Sequence, residues 1–502
     1  MSNWYCGSTK HTAVAQWAAL TVYGAGSIVR QLAAPAVGSE RCFRTAAGGT
    51  SGATEPVWVL TKGAAQPADG TVTDWVEVTG NETYGWTAAH ARLANALAWM
   101  AAGDTVWLSN NHAETQATDL TLTSPGTAAL PCMVLCVVDT ATPPTTIATT
   151  ATITTTSPGD MYILGIIYIY GVTFNAGTTG TSSPLYLGSI TPTYIVLDTC
   201  NLKIITTSTT SHIYFGIVGA SAVNDDCLII LKNTNIQFAA IAQALYFRHG
   251  KIFWIGGTIT GSVFPSVLIK SNVSVASTFE LNGCDLSPIG ASALVLGSTA
   301  CASTVKIKNC KLGANAVVLS GTIPGQGGVE VLLDNCHSGD LNYRFEHHKY
   351  QGSIIQADNC YLNAAFSMKM TPITGAAYIS PLESPPIAQW NSVVGSAKIA
   401  TVEIIHNEAA ALDDDEIWME LEYLGTSGFP LASFVNDKMA WFGTPAAQTT
   451  STASWTENLT GEIKQKLSVS FTPQEAGYIV AKVYLGKVTT NPVYVDPYIT
   501  LS

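Results

Sequence analysis

The chain has 502 residues, of which 47% are apolar and only 12% charged, and its net charge of −12 is set against just 23 lysines and arginines. That balance excludes nucleic acid and anionic membrane surfaces as partners. A chain of this length and composition holds more than one domain, with large buried cores beneath stacked Thr, Ser, Gly and Asn surfaces.

Residues 1–82 read as a small β-module rich in Trp, Gly and Thr. No basic region followed by an apolar core stands in Met1 to Leu20, so no secretory signal is expected. Its body is Tyr23 to Arg30, Arg41 to Arg44, Gly49 to Pro56 and Asp69 to Trp75, short strands joined by glycine turns. This run resembles a small module common in tailed-bacteriophage structural proteins and, more distantly, the chitin-binding modules of bacterial glycosidases, over residues 15–78. The resemblance implies a virion protein. A carbohydrate role for the module would need exposed aromatics in a row, and Trp58 and Trp75 read instead as core.

Residues 83–102 carry Leu93, Leu97 and Met100 at helical spacing, which predicts a short helix. With the following Gly103-Asp104-Thr105-Val106-Trp107-Leu108, it resembles the start of pectate-lyase-like right-handed β-helices, where a helix plugs the open end of the coil. Such an end is an unpaired apolar cross-section that would otherwise aggregate. His112 and Glu114 fall on the first rung beside this cap and read as surface residues.

The coil is expected over residues 103–368. Its mark is a short pattern seen at Ile169 to Phe174, Leu197 to Leu202, Leu231 to Ile236, Trp254 to Ile259, Leu281 to Leu286, Ile307 to Leu312, Leu333 to Ser338 and Ala357 to Leu362. Before each copy apolar residues alternate, as in a half-buried strand; after it the inward set shifts by one, so one residue turns a corner. Gly171, Thr199, Asn233, Gly256, Gly283, Asn309, Asn335 and Asn359 occupy that place, and Thr199 alone is neither Gly nor Asn. A strand-built unit recurring at this interval is a parallel β-helix solenoid. Its longest apolar run, Met161 to Phe174, falls short of a membrane span and is broken by Gly165 and Gly171. Cys200, Cys284, Cys310, Cys336 and Cys360 share one position and read as an inert buried ladder, and the Cys132/Cys136 pair has no nearby His to make a zinc site.

Two concentrations within the coil carry chemistry. Asp334 and Asp358 stand in the same slot of consecutive rungs, with Lys308 and Asn282 in that slot before them, so a carboxylate pair is geometrically available for glycoside hydrolysis. Asp340, Tyr343, Arg344, Glu346, His347, His348, Lys349 and Tyr350 form the most charged and aromatic stretch, read first as a contact patch for a neighbouring protein and second as an acid/base site using Glu346 and His347. Pectate-type lyases use several Asp ligands and an Arg base, whereas this coil offers Arg248 and Arg344 with only Asp340 beside either. No catalytic residue, metal or cofactor is therefore assigned.

Residues 369–395 hold Pro372, Pro381, Pro385 and Pro386 and read as a linker. Residues 396–502 alternate in segments that suggest an antiparallel β-sandwich, closing with a hairpin of Tyr478 to Leu485 and Val493 to Pro497. Asp413 to Glu416 reads as a solvated turn rather than a calcium loop. The whole is all-β. Its expected function is that of a non-enzymatic structural protein on the surface of a tailed-phage particle, first a capsid decoration protein. The alternative is a tailspike or fibre that binds or cleaves bacterial surface polysaccharide. Expected partners are other virion proteins, either the major capsid protein or tail proteins, and further copies of the chain, with trimer and monomer both open. Synthesis in the host cytoplasm is expected.

Overall fold

The computed structural model describes residues 2–502 except 33–35, 157, 179, 189–191, 217–226, 272–276, 291, 297–302, 314–316, 321–329, 337–346, 351–352, 359–367, 371–379, 382–386, 391–395, 407, 414–415, 424–449, 452–462, 472–476, 486–492 and 496–498. It divides into two units, Met1–Ile289 and Gly290–Ser502.

In the first unit each turn of the chain gives one strand to each of three sheets. One rung shows the order: Ile166–Tyr170 lies in the first sheet, Val172–Ala176 in the second, and Leu185–Leu187 in the third. The first sheet runs through Asn3–Cys6, Thr105–Ser109, Cys132–Val137, Ile166–Tyr170, Thr193–Asp198, Cys227–Lys232, Lys251–Ile255 and Ser277–Asn282, with every neighbour parallel. The third runs through Leu120–Thr123, Met161–Leu164, Leu185–Leu187, Ile213–Gly216, Leu245–His249 and Val267–Ser271, again all parallel. This is the parallel β-helix that the repeat predicts.

The corners follow the parity argument. Gly171, Gly256 and Gly283 take φ of 75, 68 and 67°, and Asn233, Asn309 and Asn335 take 47, 52 and 50°. Thr199, the residue least suited to it, enters the same left-handed region at φ 55°. Where the residue just beyond the corner is Cys or Thr, its side chain turns inward and donates to a carbonyl. Cys284 Sγ reaches Trp254 O at 3.2 Å, Cys336 Sγ reaches Ile307 O at 3.2 Å, and in the one rung with threonine Thr234 Oγ1 reaches Leu197 O at 3.0 Å. Burial pushes the Cys200 thiol up to about 12, which keeps it protonated and inert. Cys360 and Asn359 lie outside the described residues.

The N-terminal segment is built from Ile28–Arg30, Cys42–Thr45 and Trp75–Glu77, paired antiparallel. Trp17, Val29, Phe43, Val72 and Trp75 fill its core, and Asp69 Oδ2 accepts from the indoles of Trp17 at 2.7 Å and Trp75 at 3.1 Å. Trp58 stacks on Phe43 with ring centroids 4.0 Å apart. Both Trp58 and Trp75 are therefore packed inward. The first strand, Asn3–Cys6, leaves this segment and pairs with Thr105–Ser109 of the coil. The cap helix is Leu93–Trp99, with Leu93, Ala96 and Leu97 buried. No helix among the described residues is long and apolar enough to cross a membrane.

In the second unit, Ser303–Lys308, Glu330–Asp334 and Ser353–Asp358 pair in parallel, and Ala293–Leu296 pairs in parallel with Val317–Ser320. An antiparallel sandwich follows. One sheet joins Met368–Met370, Val493–Val495, Lys398–His406 and Ile463–Phe471. The other joins Ser380–Pro381, Ile387–Trp390 and Ile417–Tyr423 to Gly477–Leu485. Alternate residues of the two faces make the core, among them Val402, Ile404, Met419, Leu467, Val483 and Val495. The expected closing hairpin is not formed: Gly477–Leu485 and Val493–Val495 belong to opposite sheets, so the chain crosses between layers there. Alternation reports that each segment is a strand; it does not report which neighbour a strand pairs with.

Candidate functional site

The third sheet of the first unit presents one column of tyrosines. Alternation buries Met161 and Ile163, Leu185 and Leu187, Ile213 and Phe215, and Leu245 and Phe247, so the residue between each pair points outward. That residue is Tyr162, Tyr186, Tyr214 and Tyr246 in turn, held in strict register, with Lys270 next in line. Rungs are about 4.8 Å apart, and the rings stack at that spacing. Centroids are 4.7 Å apart for Tyr162–Tyr186, 4.9 Å for Tyr186–Tyr214 and 5.2 Å for Tyr214–Tyr246. The first two pairs are near parallel, at 6 and 12°. All four side chains are half-buried, and the hydroxyls of Tyr186 and Tyr214 meet the Arg248 guanidinium.

Charged groups flank the column in a definite order. At one end Tyr162 donates its hydroxyl to Asp160 Oδ2 at 3.1 Å, with Asp119 close enough to oppose ionisation of Asp160. Burial first, and then Asp160, pushes the Tyr162 hydroxyl up to about 12, so it stays a donor at neutral pH. At the middle and far end the groups are cationic. The Arg248 guanidinium lies over Tyr214 at 4.0 Å and reaches Tyr186 at 5.4 Å, and Lys270 Nζ sits 5.8 Å from the Tyr246 ring. His212 covers Tyr246 at 4.4 Å; burial, then Lys270, lowers it to about 4, leaving it neutral at pH 7.

A β-bulge places Arg248. Phe215 pairs with Phe247, but Gly216 pairs with His249, so Arg248 is an extra residue without a partner on the preceding strand. Bulges re-aim a side chain, and here the guanidinium folds back across two tyrosines. The corner register points to none of these residues, because the column lies on a different sheet from the corners. The signal was present as an apolar-Tyr-apolar triplet in four successive rungs.

The residues that sequence reasoning did single out lie elsewhere. Asp334 pairs in register with Lys308 on one side and Asp358 on the other, and Asp334 is exposed. Asp340, Tyr343, Arg344 and Glu346 lie outside the described residues. His347–Tyr350 is a strand antiparallel to Ser353–Asp358, with His347 opposite Gln356 and Tyr350 opposite Ser353.

His112 and Glu114 require correction: they are not surface residues but 1% and 3% exposed. Glu114 Oε2 accepts from the backbone of Leu93 at 2.9 Å and from His112 Nε2 at 3.3 Å, while His112 Nδ1 accepts from the backbone of Ser8 at 3.0 Å. Arg92 bridges Glu40 at 2.7 Å and Glu114 at 3.6 Å. A cavity of about 330 Å³ opens beside them, lined by Ser8, His11, Arg30 and Glu40 as well. These two residues fasten the N-terminal segments to the first rung.

No protein-family model and no curated protein matches this chain. Among solved structures, the enzymatically active domain of tailspike protein 4 of bacteriophage CBA120 aligns with 99% of this chain and 77% of its own, at 10% identity and a TM-score of 0.33. The tailspike protein of Acinetobacter phage vB_ApiP_P1 aligns over 99% of this chain and 100% of its own, at 12% identity and a TM-score of 0.30. Both are phage tailspike proteins; at these scores no residue role passes from either to this chain.

Proposed function

We propose that this chain is a surface protein of a tailed-phage particle, of the tailspike type, that binds bacterial surface polysaccharide along the tyrosine column. The column carries the reading. Tyrosine supplies a large, rigid, amphipathic contact at low entropic cost. A row repeating once per rung, with a hydroxyl on each ring edge, matches a polymer of similar repeat better than it matches a folded partner. A protein interface has an apolar centre, and among the described residues no large exposed apolar side chain lies on this sheet. Capsid decoration would need only contact area and gives this row no task. Attachment to the particle is placed on the N-terminal segment, where Leu20, Val22, Val57 and Val59 stand exposed.

The test is cell binding by the full chain, labelled with a fluorophore, across a panel of encapsulated bacteria. Staining that disappears after periodate oxidation of the cell surface, and in the folded double variant Tyr186→Ala/Tyr214→Ala, is expected. Staining that survives both treatments overturns the reading.

Cleavage is a second reading, favoured by the register of Asp334 with Asp358. Asp334→Asn would then abolish release of oligosaccharide while leaving cell binding intact.

A further inference from the structure

We propose that the polysaccharide bound along the tyrosine column is acidic, and that Arg248 and Lys270 select it by pairing with a carboxylate on its sugars. This inference rests on the column being a glycan site.

Three observations carry it. The first is placement. Arg248 is on the column because a bulge puts it there, and the bulge depends on Gly216, whose φ of 85° and contact with the His249 carbonyl exclude a Cβ. A regular strand would have kept this residue in the next column. The second is the lack of an internal counter-charge. Among the described residues neither Arg248 nor Lys270 forms an ion pair: Arg248 rests on the faces of Tyr214 and Tyr186, and Lys270 Nζ donates to the carbonyl of Ala242 at 3.1 Å. The Arg248 N–H groups also meet the hydroxyls of Tyr186 and Tyr214, and a guanidinium with five donors anchored this way still has N–H groups for a planar anion such as a carboxylate. Burial lowers Lys270 from its ordinary value, a cost that an incoming anion would relieve.

The third observation is polarity along the column. Asp119 and Asp160 stand at the Tyr162 end, and no cation pairs with either among the described residues. An acidic sugar is repelled there and attracted at the Tyr214–Tyr246 end, so the charges also fix the direction in which the chain lies. His212 is neutral and adds no charge to the contest.

The experiment is binding of the intact chain to immobilised acidic bacterial polysaccharides containing uronic acid. Each is spotted beside its own carboxyl-reduced, neutral form. Wild type, Arg248→Gln, Lys270→Gln and Tyr186→Ala/Tyr214→Ala are compared after melting curves establish that each is folded. Wild type is expected to retain at least one acidic glycan about tenfold or more above its reduced form, the range of one charge-assisted pair. Arg248→Gln should remove that preference, and added salt should weaken it. Equal binding to acidic and reduced forms, unchanged by Arg248→Gln but lost in the tyrosine variant, overturns the inference and leaves the glycan site standing. Binding to no glycan in any form removes both.

Discussion

Gly216 faces His249 across the third sheet although its neighbour Phe215 faces Phe247, so one residue of the later strand, Arg248, is set out of register. A Cβ at position 216 would collide with the His249 carbonyl, and the left-handed φ adds to the strain. Gly216→Ala should therefore cost about 1–3 kcal/mol and let Arg248 leave the tyrosines. Glycan binding should fall as far as in Arg248→Gln, which by contrast should change stability by no more than about 1 kcal/mol. Urea unfolding beside binding separates the two effects. Full affinity in a destabilised Gly216→Ala protein would mean that the bulge does not position Arg248.

Tyr214 has a ring neighbour on both sides and the guanidinium above it. Each aromatic pair adds about 0.5–1.5 kcal/mol beyond buried area, so Tyr214→Ala should destabilise by about 2–4 kcal/mol. Tyr214→Phe keeps the stack and should stay within about 1 kcal/mol of wild type, yet it removes a hydroxyl from the row. Weaker glycan binding by the phenylalanine variant at unchanged stability is the expected signature. Unchanged binding would assign the column to packing alone.

The coil was legible because its rule is local. A shift of parity across one residue needs a left-handed corner, and the glycines and asparagines at Gly171, Asn233 and Asn309 announce it. The column was equally local, yet it sits on the sheet farthest along each rung from the corner, and tyrosine between apolar neighbours reads as ordinary strand. His112 and Glu114 could not be placed from sequence. What buries them is Ser8 and the Leu93–Trp99 helix, and no spacing rule says that a strand at Asn3–Cys6 returns to the first rung. Partner choice in the sandwich failed for the same reason, since Val493–Val495 alternates identically whichever sheet receives it.

Thr199 is the exception among the corners and makes a stability prediction. A β-branched residue at φ 55° carries roughly 1–2 kcal/mol of steric cost, offset in part by its hydroxyl donating to Asp198 Oδ1 at 3.0 Å. Thr199→Asn places at this corner the residue found at Asn233, one rung on, and should stabilise by about 0.5–1 kcal/mol. Thr199→Val keeps the branch, loses the hydrogen bond and should destabilise. Chemical denaturation of the pair decides it; a less stable asparagine variant would show that the hydroxyl outweighs the strain.

Asp198 should set part of the acid limb of stability. Its carboxylate is 7% exposed and accepts from Tyr168 Oη, Lys232 Nζ and Thr199 Oγ1, each at 3.0 Å. Burial alone would raise its pKa, but the hydrogen bonds from Lys232, Thr199 and Tyr168 and the charge of Lys232 outweigh burial and hold it below the ordinary carboxylate value. Because the folded value is the lower one, the contribution is fully present above the unfolded pKa of about 3.9 and is lost as pH falls through the folded value. Asp198→Asn should therefore flatten the decline of stability below about pH 4, and near pH 7 it should cost about 1–3 kcal/mol by leaving its donors poorly matched. Lys232→Gln should cost less, since the lysine is 54% exposed and the pair is screened by solvent. Urea midpoints followed from neutral pH into acid test this, and parallel curves for wild type and Asp198→Asn would rule Asp198 out as a source of the acid limb.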